Sequence, residues 1–209
     1  IEFLANGTLK INGGSAVAMP SNGLIYVKGP VEVKGVVNGR VTVAADSGSY
    51  TTSDWFGWTH TYYTKGNITI SGNLTYADAP NLDPDAVMQT TPDAMGLLAK
   101  DNIVLGDSYY ESLASRRDKR EMDVDAAAMA VNGWIGIDPD ASSHPSDTRP
   151  HYTLVWRGER IFASFDNAPE QTSRGWTQGF EVKQSLYDYG LKNFNCPPGF
   201  PYTRQVNSP

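Results

Sequence analysis

Apolar and polar residues alternate with a period of two along much of this chain, and a helical period is nearly absent. The alternating segments are short, rich in β-branched residues and ended by Gly or Asn-Gly. They occupy residues 23–29, 30–35, 36–39, 40–45 and 66–77, with weaker copies at residues 97–105, 122–131 and 152–156. This pattern is typical of strands and predicts an all-β protein.

Two architectures use such short, evenly spaced strands. In an antiparallel β-sandwich each Asn-Gly would form a hairpin, whereas in a parallel β-helix each Gly or Asn would turn a corner of one coil. Gly29 and Gly35 are six residues apart, as are Gly66 and Gly72, and this spacing favours corners over hairpins. We therefore expect a parallel β-helix (β-solenoid) with inserted loops, and we keep the antiparallel β-sandwich as the alternative.

The alternation also predicts which side chains point into the solenoid. Inward positions are small or β-branched: Ile25, Val27, Val31, Val33, Val41, Val43, Ile68 and Ile70. Outward positions are Tyr26, Glu32, Thr42 and Thr69, which suit a wetted surface. Because each rung of a solenoid buries its apolar edge only against a neighbouring rung, several rungs must fold together.

The segments that break the pattern define the domain organisation. Residues 1–184 are predicted to form the solenoid, and residues 185–209 an extended Pro-rich tail that lies on the body or leads onward. Insertions are expected at about residues 46–65, 78–95, 107–121 and 138–150. Solenoids tolerate such insertions at their corners.

Composition and charge exclude several classes of protein. With 40% hydrophobic and 19% charged residues, the chain is apolar enough to fold. The net charge of −6 disfavours bulk electrostatic binding to nucleic acid or to an anionic membrane. The longest apolar run, residues 126–131, is far shorter than the roughly 20 residues of a bilayer span, so we expect no membrane contact within this chain. Since the first residues lack the pattern of a signal peptide, we expect a mature or trimmed part of a longer protein.

The first insertion is rich in aromatic residues. If they are exposed, their rings would form a stacking platform for sugars, bases or a protein partner. The alternative, a loop folded back on the solenoid as a satellite core, is the commoner arrangement for such a segment. We select this insertion as the candidate contact surface, with Trp55 and Trp58 as anchors. The candidate binding residues are Trp55, Phe56, Trp58, Tyr62 and Tyr63, and His60 lies among them.

A dense basic cluster in the third insertion consists of Arg116, Arg117, Lys119 and Arg120. Such a cluster can bind phosphates with salt-dependent affinity. Because Asp118 and Glu121 are interleaved with it, a solvated segment with local ion pairs is favoured, and nucleic-acid contact is the alternative.

Asp123 and Asp125 alternate along a predicted strand and therefore share one face. Paired carboxylates can act as acid and base in polysaccharide-degrading β-helix enzymes. The sequence aligns no basic partner with them, so an outward-facing pair is favoured.

Other chemistry-bearing residues give weak signals. Residues 138–142 lack the Gly and the final acid of a helix-loop-helix calcium site, and His60, His144 and His151 fall in loop-like contexts. The lone Cys196 precedes two prolines and is interpreted as a structural or free thiol. We predict no catalytic residue, no metal and no cofactor.

Several segments, in this order, resemble an uncharacterised bacterial β-solenoid domain family associated with type IV pilin-like proteins. They are residues 23–45 (GLIYVKGPVEVKGVVNGRVTVAA), 66–76 (GNITISGNLTY), 95–104 (MGLLAKDNIV), 122–130 (MDVDAAAMA), 187–189 (YDY) and 197–201 (PPGFP). The solenoid module of the competence minor pilin ComZ is similar. The resemblance implies a right-handed solenoid displayed outside the cell, and it implies no catalytic residues.

We therefore expect a non-enzymatic, extracellular β-solenoid module of a type IV pilus-like or cell-surface assembly, which displays loops for adhesion or partner recognition. The expected partners are other pilus or surface proteins, with a glycan or DNA as further candidates. The alternatives are a polysaccharide-degrading β-helix enzyme, centred on Asp123 and Asp125, and a DNA-capturing minor pilin module that uses the basic cluster.

Overall fold

The protein is all-β over the part of the chain that can be described, which confirms the fold class expected from the alternation. The computed structural model describes residues 1–78, 93–105, 121–137, 153–162, 171–172, 175–176, 182–186, 188, 191 and 196–201. Within these ranges there is no α-helix, and hence none long and apolar enough to cross a bilayer.

Within the described residues the strands form two main sheets and two separate hairpins. The first sheet contains β1 (Glu2–Leu4), β2 (Thr8–Lys10), β3 (Val17–Ala18), β5 (Val31–Val37), β9 (Ile68–Tyr76), β11 (Ile103–Leu105), β12 (Glu121–Asp125), β14 (Ile135–Ile137), β15 (Thr153–Arg157) and β19 (Val182–Leu186). The second contains β4 (Leu24–Lys28), β6 (Arg40–Asp46), β10 (Ala94–Ala99), β13 (Ala127–Ala130) and β16 (Arg160–Phe162). The hairpins are β7 (Gly48–Ser53) with β8 (Thr59–Thr64), and β17 (Gln171–Thr172) with β18 (Gly175–Trp176).

Strand directions are mixed. All described pairings within the second sheet are parallel, in the order β16-β13-β10-β6-β4. The first sheet is also parallel except where β2 pairs antiparallel with β1 and with β3. Asn38-Gly39 connects β5 in the first sheet to β6 in the second, so it forms a corner between sheets. The hairpin that a sandwich would place there is not formed.

The registers align the inward residues into columns. One column in the first sheet runs Val31, Ile68, Ile103, Ile135, and one in the second runs Ile25, Val43, Leu97, Ala128. The predicted inward residues Val33, Val41, Val43, Ile68 and Ile70 are fully buried, whereas Ile25, Val27 and Val31 are half-buried. Each fully buried aliphatic side chain contributes roughly 1.5–3 kcal/mol of transfer free energy.

The four glycines with six-residue spacing fall at two kinds of position. Gly29 and Gly66 lie between strands of different sheets, as expected for corners, whereas Gly35 and Gly72 lie inside β5 and β9. The register between these two strands shifts beside Gly35, and β9 changes its pairing partner from β11 to β12 on either side of Gly72. An added Cβ at Gly35 would also overlap the backbone oxygen of Phe3, so the close approach of β1 requires glycine there.

An asparagine ladder joins successive corners from the second sheet to the first. The Oδ1 atom of Asn67 accepts the backbone N–H of Asn102 at 3.0 Å, and the Oδ1 atom of Asn102 accepts that of Trp134 at 3.1 Å. The backbone N–H of Ile68 donates to the carbonyl of Asn102, which continues the ladder in the main chain. These bonds satisfy corner amides that no strand pairing reaches.

A short Pro-rich segment, residues 196–201, lies across the outer face of the second sheet, and we call it the strap. Phe200 in the strap is buried against Ala127, and the guanidinium of Arg40 donates to the carbonyl of Cys196. Thr42, predicted to be a wetted outward residue, is only 2% exposed beneath it, so that prediction is wrong. The alternation predicted that the Thr42 side chain points away from the core, but it did not predict that the strap covers this side chain.

We expect Asn102→Ala to lower the free energy of unfolding by about 1–3 kcal/mol, because the part-buried N–H of Trp134 loses its acceptor. Asn73→Ala is the matched control, since Asn73 accepts the backbone N–H of Asp123 at an exposed position and its loss is expected to cost less than about 0.5 kcal/mol. Urea unfolding of both variants measures the difference. Equal losses would contradict a structural role for the ladder.

Gly96→Ala is expected to release the strap. The added Cβ would lie 2.6 Å from Thr42 Oγ1, 2.8 Å from Phe200 Cδ2 and 2.9 Å from Pro197 Cβ. Since Cys196 is the only cysteine, the rate at which its thiol reacts with a maleimide reports strap release, and we expect this rate to rise. In the control variant Gly72→Ala the new Cβ is 3.9 Å from the nearest atom, Lys34 Cβ, so the rate is expected to stay at the wild-type value.

Candidate functional site

The aromatic insertion is an antiparallel hairpin, β7 and β8, at the corner between β6 and β9. Six residues on each strand pair, from Gly48 opposite Thr64 to Ser53 opposite Thr59. At its base, Gly48 lies against the backbone of Lys28, where an added Cβ would come within 3.0 Å of the carbonyl group. The insertion therefore leaves from the connection between β6 in the second sheet and β9 in the first.

Asp54 organises the tip of the hairpin. Its Oδ1 atom accepts the backbone N–H groups of Phe56 and Trp58 at 3.0 and 2.9 Å, and its Oδ2 atom lies 3.2 Å from His60 Nε2. Gly57 has a φ of +81°, which a three-residue loop with a bulge requires. Desolvation opposes ionisation of Asp54, but the bonds from His60 and the backbone outweigh it and lower the pKa of Asp54.

The aromatic side chains of the tip are strongly exposed. Trp55 is 93%, Phe56 80% and Trp58 69% exposed, and on β8 Tyr63 is 85% exposed. The favoured satellite-core arrangement is therefore wrong. The strands that carry the tip consist of Ser, Thr, Tyr, His and Gly, so the hairpin has no aliphatic face with which to pack on the body.

One face of the hairpin carries an aromatic pair. Tyr50 and Tyr62 lie opposite each other, with ring centroids 5.2 Å apart and an interplanar angle of 17°. Tyr62 is thereby partly covered, at 48% exposure, while the three tip residues are free of the stack. Sequence reasoning selected Tyr62 but missed Tyr50, because only the cross-strand register brings the two rings together.

Charged residues fix the end of β6 from which the hairpin leaves. Asp46 accepts a hydrogen bond from Tyr26 Oη at 2.9 Å and pairs with Lys100 Nζ at 2.9 Å. The hydrogen bond from Lys100 is the largest cause of the lowered pKa of Asp46. Strands β4, β6 and the end of β10 are thus tied together next to the root of the hairpin.

The second candidate site gains a basic partner from the neighbouring strand. Asp125 stands opposite Arg157 in the pairing of β12 with β15. Nη1 of Arg157 donates to Oδ1 of Asp125 at 2.9 Å, and Nη2 donates to Oδ1 of Asp123 at 2.6 Å. Sequence reasoning missed Arg157, although the predicted strand at residues 152–156 ended one residue before it.

Asp125 is buried, contrary to the outward pair that was favoured. It is 3% exposed, and its Oδ2 atom accepts the backbone N–H of Tyr76 at 3.0 Å. Burial is the largest influence and raises the pKa of Asp125, against the opposing effects of Tyr76 and Arg157. Asp123 is half-buried and bonded to the same guanidinium. These bonds link β12 to its paired strand β15 and to the end of β9.

The structure gives less information about the remaining candidate residues. Arg116, Arg117, Lys119 and Arg120 lie outside the described residues, as do residues 138–150 and His151. Cys196 is a free, half-buried thiol whose Sγ atom donates to the carbonyl of Leu191 at 3.2 Å. Among the residues that the structure describes, no three His, Cys, Asp or Glu side chains are grouped to hold a metal ion.

No protein-family model matches the sequence, and no curated protein and no solved structure is significantly similar to it. The resemblance to a pilin-associated solenoid family therefore stays a prediction.

We expect Asp125 and Asp54 to contribute to the pH dependence of the protein's stability with opposite signs. Because the folded-state pKa of Asp125 is raised above 3.8, the folded protein binds more protons than the unfolded chain between the two pKa values. The stability of the wild type relative to Asp125→Asn should therefore fall as the pH rises from 4 toward 7.

Asp54→Asn is the control for this measurement. The folded-state pKa of Asp54 is lowered, so its contribution is present above pH 4 and is lost as the pH falls. Urea unfolding from pH 3 to 7 gives both differences. A stability difference for Asp125→Asn that rises with pH would contradict the assigned direction.

Proposed function

We propose that this chain is a non-enzymatic, extracellular β-solenoid module of a type IV pilus-like or cell-surface assembly. Its strands would coil as a right-handed parallel β-helix, and the hairpin of residues 48–64 would serve for adhesion or partner recognition. The exposed aromatic tip is the observation that carries the proposal.

The parallel ladders support the proposed scaffold. Strands β4, β6, β10 and β13 pair in parallel and alternate along the chain with strands of the first sheet. Parallel crossover connections are right-handed in nearly all proteins, which favours a right-handed coil. Recognition residues commonly lie on loops held by such a rigid framework.

The composition of the tip supports a recognition role. Trp55 and Trp58 expose large planar surfaces, and tryptophan is the residue type most enriched among binding hot spots. Asp54 holds the backbone N–H groups of Phe56 and Trp58, so little conformational entropy of the tip would be lost on binding. A contiguous exposed aromatic cluster is uncommon on a protein with no partner.

The other two functions considered stay predictions. Arg157 beside Asp123 and Asp125 supplies the basic group that a polysaccharide-degrading site would need, but the same bonds hold both carboxylates in the fold. The basic residues of the DNA-capture alternative are not described.

A double variant, Trp55→Ala with Trp58→Ala, tests the proposal. We expect at least tenfold weaker binding to the glycans or surface proteins that the wild type recognises on a glycan array and on intact bacteria, because a hot-spot residue contributes about 2 kcal/mol. Ile11→Ala removes an exposed apolar residue outside the hairpin and should leave binding unchanged. If the double variant binds every such target as the wild type does, the aromatic tip is not the recognition surface.

A further inference from the structure

The hairpin exposes two strand edges in addition to its tip. The backbone N–H of Asp54 donates to the carbonyl of Trp58 at 3.0 Å, which makes these two residues a hydrogen-bonded pair. Because such pairs alternate with non-bonded pairs along an antiparallel ladder, Thr52 and His60 bond to each other, and Thr51 and Thr61 do not. On β8, the main-chain groups of Thr59, Thr61 and Tyr63 therefore point away from β7.

These outward main-chain groups have no strand beside them among the described residues. β8 pairs only with β7 there, and Thr59, Thr61 and Tyr63 are all exposed. Edge strands of natural proteins are usually protected by lysine, proline, a bulge or a covering segment. β8 has the sequence Thr-His-Thr-Tyr-Tyr-Thr, with no lysine and no proline, and its ladder with β7 has no register shift.

The exposure of the whole hairpin adds a second argument. An isolated two-stranded hairpin is only marginally stable in water, and three or more strands are usually needed. Here the described hairpin has no third strand, and its side chains from Ser49 to Tyr63 are exposed. An additional strand on the β8 edge would supply the third strand that a two-stranded ribbon needs for stability in water.

We infer that the β8 edge pairs with the β8 edge of a second copy of this chain, antiparallel about a twofold axis at Thr61. Thr59 of one copy then stands opposite Tyr63 of the other, and the outward amides of both residues are satisfied. His60 stands opposite Tyr62 of the other copy on the opposite face. The product is a continuous four-stranded ribbon in which Trp58 of each copy lies beside Thr64 of the other.

Charge explains why the contact would form at the hairpin. The chain carries a net charge of −6, so two copies repel each other when their bodies approach. Residues 48–64 include one carboxylate, Asp54, which is paired with His60. In this register the Thr64 residues at the two hairpin roots are six residues apart along the ribbon, about 20 Å, so the roots are separated by more than a Debye length at physiological salt.

Self-association is preferred over addition of another protein's strand because the β8 edge is its own complement. In an isologous pair each copy supplies the same uncharged Thr and Tyr residues, and no further chemistry is required. β7 is the weaker edge, since its sequence Gly-Ser-Tyr-Thr-Thr-Ser has lower strand propensity. This inference does not depend on recognition by the aromatic tip.

Sedimentation equilibrium of the full chain over a concentration series tests the inference. We expect the wild type to pass from 22.8 kDa toward twice that mass as concentration rises. Thr61→Pro removes the outward N–H at the twofold axis without removing a bond inside the hairpin, and should weaken dimerisation at least about tenfold. Thr61→Val keeps the N–H and the β-branched shape and should dimerise within about twofold of the wild type.

Hydrogen exchange of the wild type gives a measurement that does not depend on the proline variant folding. The amides of Thr59, Thr61 and Tyr63 should exchange more slowly at high concentration than at low concentration, and those of Ser49, Thr51 and Ser53 should not. A wild type that stays at 22.8 kDa, or protection absent from the β8 amides, would overturn the inference.

The double variant Trp55→Ala with Trp58→Ala separates this inference from the function proposed for the tip. It should lose recognition and keep dimerisation. A monomeric double variant would place the contact between copies at the tip and overturn pairing through β8.

Discussion

Parallel pairing between successive strands is the constraint on which the rest of this structure depends. The inward residues of each strand are buried by the inward residues of the strands that pair with it. Ile68, Ile103 and Ile135 form such a column, and they are shielded from solvent only when their strands pair in this register. The apolar core is thus a set of columns, and each strand is stabilised chiefly by its neighbours. A one-residue slip would turn those side chains outward and is therefore strongly disfavoured.

At the corners the backbone N–H groups require other hydrogen-bond acceptors, because strand pairing does not reach them. The ladder formed by Asn67 and Asn102 satisfies part of this requirement with side-chain oxygens. At the opposite corners, Asp125 accepts the backbone N–H of Tyr76 and also bonds to Arg157. A buried carboxylate is therefore used here as a connector between strands, although its burial raises its pKa.

Because the strands and corners of this framework have their hydrogen bonds satisfied, the framework can accommodate an inserted segment at a corner. The β7–β8 hairpin follows Asp46 in the chain, and the next strand, β9, pairs with β5. The aromatic tip then extends into solvent without disturbing the columns. The strap is not inserted at a corner but covers the part of the second sheet where Gly96 and Ala127 leave room for Phe200.

Much of the fold could be predicted from local patterns. The segments around Val33, Val43 and Ile70 alternate strictly, and they form the buried strands that the pattern indicated. Strands β1 to β3 were missed because their two or three residues are too short to show a period. β19 continues to Leu186, two residues beyond the predicted end of the solenoid at residue 184.

The candidate site was predictable in position and residue type but not in arrangement. The aromatic cluster at Trp55 and Trp58 was evident from the sequence, yet whether it packed on the body or projected into solvent depended on the pairing of β7 with β8. The partner of Asp125 depended on the register between β12 and β15, which no local pattern contains.

The sequence by itself determined the longer strands and which of their sides are apolar, because these follow from local periodicity. Only the tertiary structure decided that Thr42 is covered, that Arg157 meets two carboxylates and that the aromatic tip is exposed. Each of these outcomes depends on which distant segments come into contact, and contact between segments far apart in sequence is set by the packing of the whole chain.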